Sequence, residues 1–208
     1  MFTSLTKFFY KLAIGKIQTH PCLPGPFGYE TAWYAIKGET PKSVIEKLKL
    51  DVACEANWES GIGYVYNFSD GEVFVSPEVD GYVLVIGLPG DNELARKHGV
   101  LFDELQYFGN HRVTDYYAWV RFANGELIRA YSICRSTGEF WNKGNITDEE
   151  LELGLDKFPV EEISGDSCEE HKIADEEFVL RIAKAWGVDP LFAEGEYEQA
   201  SGHICRFR

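Results

Sequence analysis

The chain has 208 residues, of which 45% are hydrophobic and 26% charged, and five of them are cysteines. This composition argues against a disordered chain and against a disulfide scaffold, and we predict a cytoplasmic protein with reduced thiols. The net charge of −14 argues against nucleic acid as a partner, because binding a phosphate backbone requires a concentrated positive surface.

The negative charge is concentrated near the carboxyl end. Residues 148–200 hold seventeen acidic and four basic residues, whereas residues 1–147 hold seventeen acidic and fourteen basic ones. A solvated acidic surface that keeps the protein soluble explains this pattern. A docking surface for a basic protein explains it as well.

The first 28 residues are predicted to stand apart from a single domain over residues 29–208. Four apolar residues in this segment fall at helical spacing: Leu5, Phe8, Phe9 and Leu12. Lys11 interrupts the apolar run, which argues against a signal peptide and a membrane span. We expect a helix that docks on the domain, with a peripheral membrane contact or a contact between copies as alternatives. A linker rich in Pro and Gly follows.

The sequence of the first half of the domain predicts strands and short helices. A strand is expected to end at Gly38, and Thr40 with Pro41 predicts the start of a helix. Residues 51–87 predict three strands. A helix is then expected over residues 91–108, interrupted at Gly99.

Residues 107–131 predict a β-hairpin around Asn124-Gly125. A type I′ turn there places Phe122 opposite Leu127. Counted outward, the same register sets three further pairs: Trp119 with Ala130, Tyr117 with Ser132, and Asp115 with Cys134. The more apolar side of the first strand is the expected core face, formed by Tyr116, Ala118, Val120 and Phe122.

The remaining sequence predicts a strand after the Thr137-Gly138 turn, a short helix and a longer one. Thr147 and Glu150 form a capping-box pattern, and the later helix places an apolar stripe at Phe178, Ile182 and Trp186. The final "HICRFR" is expected to form an edge strand. Together these elements predict an α+β fold with a mixed, mainly antiparallel sheet, and an elaborated ferredoxin-like βαββαβ core with extra hairpin strands.

The hairpin carries candidate catalytic residues. His111 and Arg112 precede the predicted strand and Asp115 lies within it, an arrangement able to orient a general base, with Tyr117 beside them. Polar residues at the entrance of a strand explain the same pattern without catalysis.

Metal binding has weaker support. Four residues of ligand type lie near the carboxyl end: Cys168, His171, His203 and Cys205. Their spacing does not match a structural zinc motif, and we expect neither a metal nor a cofactor. We also expect burial to suppress thiolate formation at Cys54 and Cys134.

Residues 107–150 are similar in sequence to a group of other proteins. "YFGNHRVTDYYAWVRFANGELIRAY" followed by "GEFWNKGNITDEE" resembles a group of uncharacterised bacterial proteins that share an aromatic hairpin, a Trp-Asn pair and a capped acidic helix. The resemblance implies no activity and no site residues.

The sequence favours a binding protein of the immunity or inhibitor type that docks a basic protein through its acidic region. The expected contacts are Glu169, Glu170, Glu176, Glu177 and Trp186. The alternative is a small enzyme or ligand-binding domain with a cleft around His111, Arg112 and Asp115.

Overall fold

The computed structural model describes residues 17–67, 70–155 and 174–208, which build one antiparallel sheet with helices on both faces. The strands are β1 Thr31–Lys37, β2 Leu50–Asn57, β3 Glu72–Val79, β4 Tyr82–Leu88, β5 Glu104–His111, β6 Tyr116–Ala123, β7 Glu126–Cys134, β8 Glu139–Lys143 and β9 Ser201–Phe207. The helices are α1 Pro41–Lys47, α2 Trp58–Asn67, α3 Asn92–Gly99, α4 Asp148–Glu152 and α5 Glu176–Trp186.

The strand order is β2-β9-β3-β4-β1-β5-β6-β7-β8, and each neighbouring pair is antiparallel. The predicted α+β fold with a mainly antiparallel sheet is therefore confirmed. The ferredoxin-like core stays a prediction. Strands β3-β4-β1-β5 are adjacent, but β2 and α2 lie between β1 and β3 along the chain, and helices pack on both faces.

Side chains alternate along the strands and supply two apolar cores. In β1, Trp33 and Ala35 point to one face, while Tyr34 and Ile36 point to the other. Helices α2, α4 and α5 cover the first face, and α1 and α3 cover the second. Burial of each large apolar side chain contributes about 1.5–3 kcal/mol, so both layers stabilise the sheet.

Side chains satisfy free amides in the first turns of three helices, and the caps at Thr40 and Thr147 are those that the sequence predicts. Thr40 Oγ1 accepts from Ser43 N at 3.2 Å, and Asp175 Oδ1 accepts from Phe178 N at 2.8 Å. Thr147 and Glu150 form the predicted capping box at the start of α4.

The three strands predicted over residues 51–87 are present as β2, β3 and β4, but the prediction missed the helix between β2 and β3, and the prediction for the segment after β4 was wrong. Residues 58–67 form helix α2, where Asn57 Oδ1 accepts from Ser60 N at 2.9 Å and Gly61 allows the helix to approach Phe74. The helix expected over residues 91–108 ends at Gly99, and residues 104–111 form β5 between β1 and β6. Strand pairing outweighs the helical spacing of Leu101 and Leu105.

The hairpin prediction was right at its turn and wrong beyond it. Phe122 does pair with Leu127, and Asn124 and Gly125 have φ values of 51° and 75°. A β-bulge next to Phe122 then shifts the register by one residue. The observed pairs are Trp119 with Tyr131, Tyr117 with Ile133, and Tyr116 with Cys134.

The predicted core face of β6 is confirmed, and the other face of this strand is buried as well. Tyr116, Ala118, Val120 and Phe122 pack in one core layer, while Tyr117 and Trp119 pack in the other, under α5. The expectation for the final strand was wrong. The final strand β9 is not an edge strand, since it lies between β2 and β3 with Cys205 fully buried.

Candidate functional site

Glu30 is the carboxylate that pairs with the candidate bases at the end of β5. His111 Nδ1 lies 3.4 Å from Glu30 Oε2, and Arg112 Nε lies 3.0 Å from Glu30 Oε1. Thr31 pairs with Asn110 in the sheet, so the start of β1 brings Glu30 beside His111. Sequence reasoning missed Glu30 because only the pairing of β1 with β5 brings it there.

Asp115 does not lie within a strand as predicted. Arg112–Thr114 form a 3₁₀ turn, and Asp115 follows it in the left-handed region with a φ of 47°. The Arg112 side chain is 68% exposed, so its pair with Glu30 lies on an open surface. The structure therefore does not gather the predicted trio into an enclosed catalytic site.

A cleft of about 550 Å³ lies next to this turn. Its walls are the start of α3, the turn after β5 and the turn between β7 and β8. Its lining includes His111, Tyr116, Cys134, Arg96, Glu139 and Trp141. Of the four candidate catalytic residues, His111 alone lines this cleft.

Tyrosine hydroxyls form a polar network at the base of the cleft. The hydroxyls of Tyr107 and Tyr116 lie 3.0 Å apart, and the Tyr116 hydroxyl donates to Asn92 Oδ1 at 2.9 Å. Asn92 Nδ2 in turn donates to Ser132 Oγ at 2.8 Å. Burial raises the pKa of both tyrosines, so they remain protonated and fix the start of α3 to the sheet.

Cys134 lies at the cleft with its sulfur next to the β7–β8 turn. Burial raises the pKa of the thiol, but hydrogen bonds from Ser136 and Thr137 outweigh burial, and the pKa lies below its ordinary value. The Cys134 Sγ and Ser136 Oγ atoms are 3.3 Å apart. The expectation that burial suppresses the Cys134 thiolate was wrong. At Cys54 burial does raise the pKa, as expected.

Arg96 covers the aromatic side of the cleft. Its guanidinium carbon lies 4.1 Å from the centre of the Trp141 ring, within the range of a cation–π contact. Arg96 Nη1 also pairs with Glu93 Oε1 at 2.5 Å. The guanidinium group is thus held between an aromatic ring and a carboxylate.

Tyr117 faces away from the cleft, toward the start of α5. It is 7% exposed, and burial together with the negative charges of Asp115 and Glu176 raises its pKa. Tyr117 therefore packs as a core residue beneath an acidic surface.

The predicted partner contacts fall into three groups. Glu169 and Glu170 lie outside the described residues. Glu176 and Glu177 occupy the first turn of α5, and Glu177 Oε1 accepts from the Tyr29 hydroxyl at 2.7 Å. This hydrogen bond and partial burial raise the pKa of Tyr29 to about 12. Trp186 is only 5% exposed, so its prediction as an aromatic anchor was wrong, and it is a core residue.

The acidic residues of the described carboxyl-terminal region belong to α4, α5 and the segment after α5, which pack their apolar residues on the same face of the sheet. We define the acidic face as Asp148, Glu149, Glu152, Asp175, Glu176, Glu177, Asp189, Glu194, Glu196 and Glu198. Each is exposed or partly exposed. Lys184 pairs with Asp189 at 3.1 Å and with Glu194 at 3.3 Å. The opposite face has a different balance, because α1 and α3 together hold four basic and two acidic residues.

Only two of the four candidate metal ligands lie in the part of the chain that the structure describes. Cys168 and His171 lie outside the described residues. His203 and Cys205 lie two positions apart on β9, and burial raises the pKa of Cys205 to about 12. Within residues 17–67, 70–155 and 174–208, no group of three or more His, Cys, Asp or Glu residues is placed to hold a metal ion.

The longest helix that the structure describes, α5, has eleven residues, and none of the described helices has the apolar length that crossing a bilayer requires. Comparison of the chain with protein-family models, with curated proteins and with solved structures finds no match. The resemblance to uncharacterised bacterial proteins stays a prediction.

Proposed function

We propose that this protein binds a basic protein partner in the cytoplasm through its acidic face, in the manner of an immunity protein or inhibitor that covers a cationic protein. One observation carries the proposal. The elements that carry the described acidic residues of this region, α4, α5 and the segment after α5, pack their apolar residues in the same core layer, on one face of the sheet. A one-sided field of this kind steers a cationic partner and orients it on approach.

The chemistry of the acidic face supports a protein partner. Its carboxylates are spread over two helices and a long segment, and those that the structure describes do not converge on a single metal-sized site. Glu177 accepts a hydrogen bond from the Tyr29 hydroxyl, which fixes one of these carboxylates at the start of α5.

A capture experiment with two charge variants tests this proposal. The tagged chain is incubated with lysate of its source cells, and bound proteins are identified by mass spectrometry. The face variant carries Glu176→Gln, Glu177→Gln, Glu196→Gln and Glu198→Gln. The control variant carries four equivalent changes away from the acidic face: Glu46→Gln, Glu55→Gln, Glu93→Gln and Glu126→Gln.

We expect the wild-type chain and the control variant to capture the same protein, rich in Lys and Arg, and the face variant to lose it. Raising the salt concentration should release that protein, because exposed charges are screened. Absence of a basic partner, or equal capture by all three chains, contradicts the proposal.

A small enzyme or ligand-binding domain is the second candidate. The supporting observation is the cleft that places His111 and the low-pKa thiol of Cys134 in one cavity. An imidazole and a thiolate in one cleft are able to perform acyl transfer. The test is the release of p-nitrophenol from p-nitrophenyl acetate. A burst that is abolished in Cys134→Ser and slowed in His111→Gln supports this candidate. Unchanged release in both variants contradicts it.

A further inference from the structure

An apolar groove of about 470 Å³ lies between α2 and the segment that leads into β1. Most of its lining is apolar or aromatic: Pro26, Phe27, Tyr29, Ile62, Tyr66 and Leu191. Tyr29 and Tyr66 are 38% and 40% exposed, so the groove presents aromatic surface to solvent in the described part of the chain.

The Tyr66 wall of the groove is held in place by hydrogen bonds. The Tyr66 hydroxyl donates to Tyr29 O at 2.8 Å and accepts from Gly28 N at 3.1 Å. Both contacts connect α2 to the segment before β1. A fixed apolar surface loses little conformational entropy when a ligand covers it, which favours binding.

We propose that this groove binds the chain's own N-terminal segment through Leu5, Phe8, Phe9 and Leu12. The described chain begins at Ile17, whose side chain packs against the core beneath α2. Gln18 N donates to Ser60 Oγ at 3.0 Å, so the chain enters the fold beside the first turn of α2. The groove residue Ile62 is two positions further along the same helix.

Length and charge both fit this occupant. Sixteen residues of the sequence precede Ile17, more than the ten residues of α2 that border the groove. Glu59 lies on the same side of α2 as Ile62 and Tyr66, and Glu177 contacts Tyr29. These carboxylates complement the lysines of the segment, which are Lys7, Lys11 and Lys16.

Tethering favours this segment over a partner in solution. A segment joined to the groove by a short connection has an effective concentration in the millimolar range. Contact between its apolar residues and the groove would remove apolar surface from water on both sides. Tethering therefore favours the chain's own segment as the occupant of the groove.

Gly63 gives a precise way to test the groove. It lies in α2 at the groove, and a Cβ atom added there would meet no heavy atom within 4 Å. Gly63→Gln fills the groove without disturbing the core, and Gly63→Ala is the matched control, since both changes replace a helical glycine. Neither change adds a trypsin site.

The readout is the rate of trypsin cleavage after Lys7, Lys11 and Lys16 in the full chain, followed by mass spectrometry. We expect slow cleavage in the wild-type chain and in Gly63→Ala, and cleavage at least about tenfold faster in Gly63→Gln. A Phe8→Asp/Phe9→Asp variant should match Gly63→Gln, because it removes apolar contacts from the other side.

Equal cleavage rates in all four chains overturn the proposal, as does equal acceleration in Gly63→Ala and Gly63→Gln. The proposal is also overturned if protection from trypsin rises with protein concentration and light scattering shows the mass of a dimer. That result would assign the groove to a second copy of the chain. Protection seen only after vesicles of phosphatidylcholine with phosphatidylglycerol are added would assign the segment to a membrane surface, with the same consequence.

Discussion

Arg129 Nε lies 2.8 Å from both carboxylate oxygens of Glu150, and neither side chain is exposed to solvent. Glu150 Oε1 also accepts from Trp119 Nε1 at 2.6 Å, and Glu150 Oε2 accepts from Thr147 N at 2.8 Å. The carboxylate thus connects β6, β7 and the start of α4. Arg129 Nη1 adds a hydrogen bond to Asn142 Oδ1 of β8 at 2.5 Å.

The first prediction concerns this buried pair. Glu150→Gln should lower the free energy of unfolding by about 3–5 kcal/mol, because it leaves the buried Arg129 charge without its counter-charge. Urea unfolding followed by tryptophan fluorescence measures the change. Glu46→Gln is the control, since it removes an exposed pair with Lys42 and should cost less than about 1 kcal/mol. Equal costs in the two variants would contradict the structural role of Glu150.

Two glycines of α2 give the second prediction. A Cβ atom at Gly61 would lie 2.2 Å from the Phe74 ring, whereas one at Gly63 meets nothing within 4 Å. Gly61→Ala should therefore destabilise the fold by about 1–3 kcal/mol through overpacking. Gly63→Ala should stabilise it by about 0.5–1 kcal/mol, because alanine has the higher helix propensity. Thermal unfolding of the two variants should show melting temperatures shifted in opposite directions.

The third prediction concerns acid stability. Burial lowers the pKa of His98 from its ordinary value of 6.5 to about 4. The unfolded chain therefore binds a proton between these pH values that the folded chain does not, and stability falls as the pH drops through this window. Between pH 7.5 and pH 5.0 the loss from His98 is about 2 kcal/mol. Urea unfolding at both pH values measures this loss of unfolding free energy. The loss in His98→Gln should be smaller than in the wild-type chain by that amount, and equal losses would contradict the assignment to His98.

Cys134 gives the fourth prediction. Its lowered pKa gives it a larger thiolate fraction at neutral pH than Cys54 or Cys205, whose pKa values burial raises. Cys134 should react with iodoacetamide faster than either of these two cysteines at pH 7.5. Ser136→Ala should slow it by removing a hydrogen bond to the sulfur. Peptide mapping after timed alkylation measures the order, and equal rates at all three positions would contradict it.

Local sequence signals predicted the elements whose determinants are local. The caps at Thr40 and Thr147 and the Asn124-Gly125 turn are set by side-chain hydrogen bonds and backbone conformations within a few residues. Strand β5 depends on partners distant in the chain, and the helical spacing of Leu101 and Leu105 concealed it. The hairpin register failed because periodicity does not reveal a β-bulge.

The candidate site depends on tertiary structure even more strongly. Glu30 meets His111 because β1 pairs with β5, and this pairing joins residues far apart in the sequence. Cys134 acquires a lowered pKa because the following turn directs Ser136 and Thr137 toward its sulfur. The sequence located the concentration of acidic residues, but only the fold shows that α4, α5 and the segment after α5 pack on the same face of the sheet.

The association rate with the captured basic partner tests the acidic face most directly. Stopped-flow measurements at about 20 mM and about 300 mM NaCl would compare the wild-type chain, the face variant and the control variant. We predict that salt slows the wild-type chain and the control variant by at least about tenfold, and that the face variant is slow at both concentrations. Rates that respond to salt equally in all three chains would contradict docking through the acidic face.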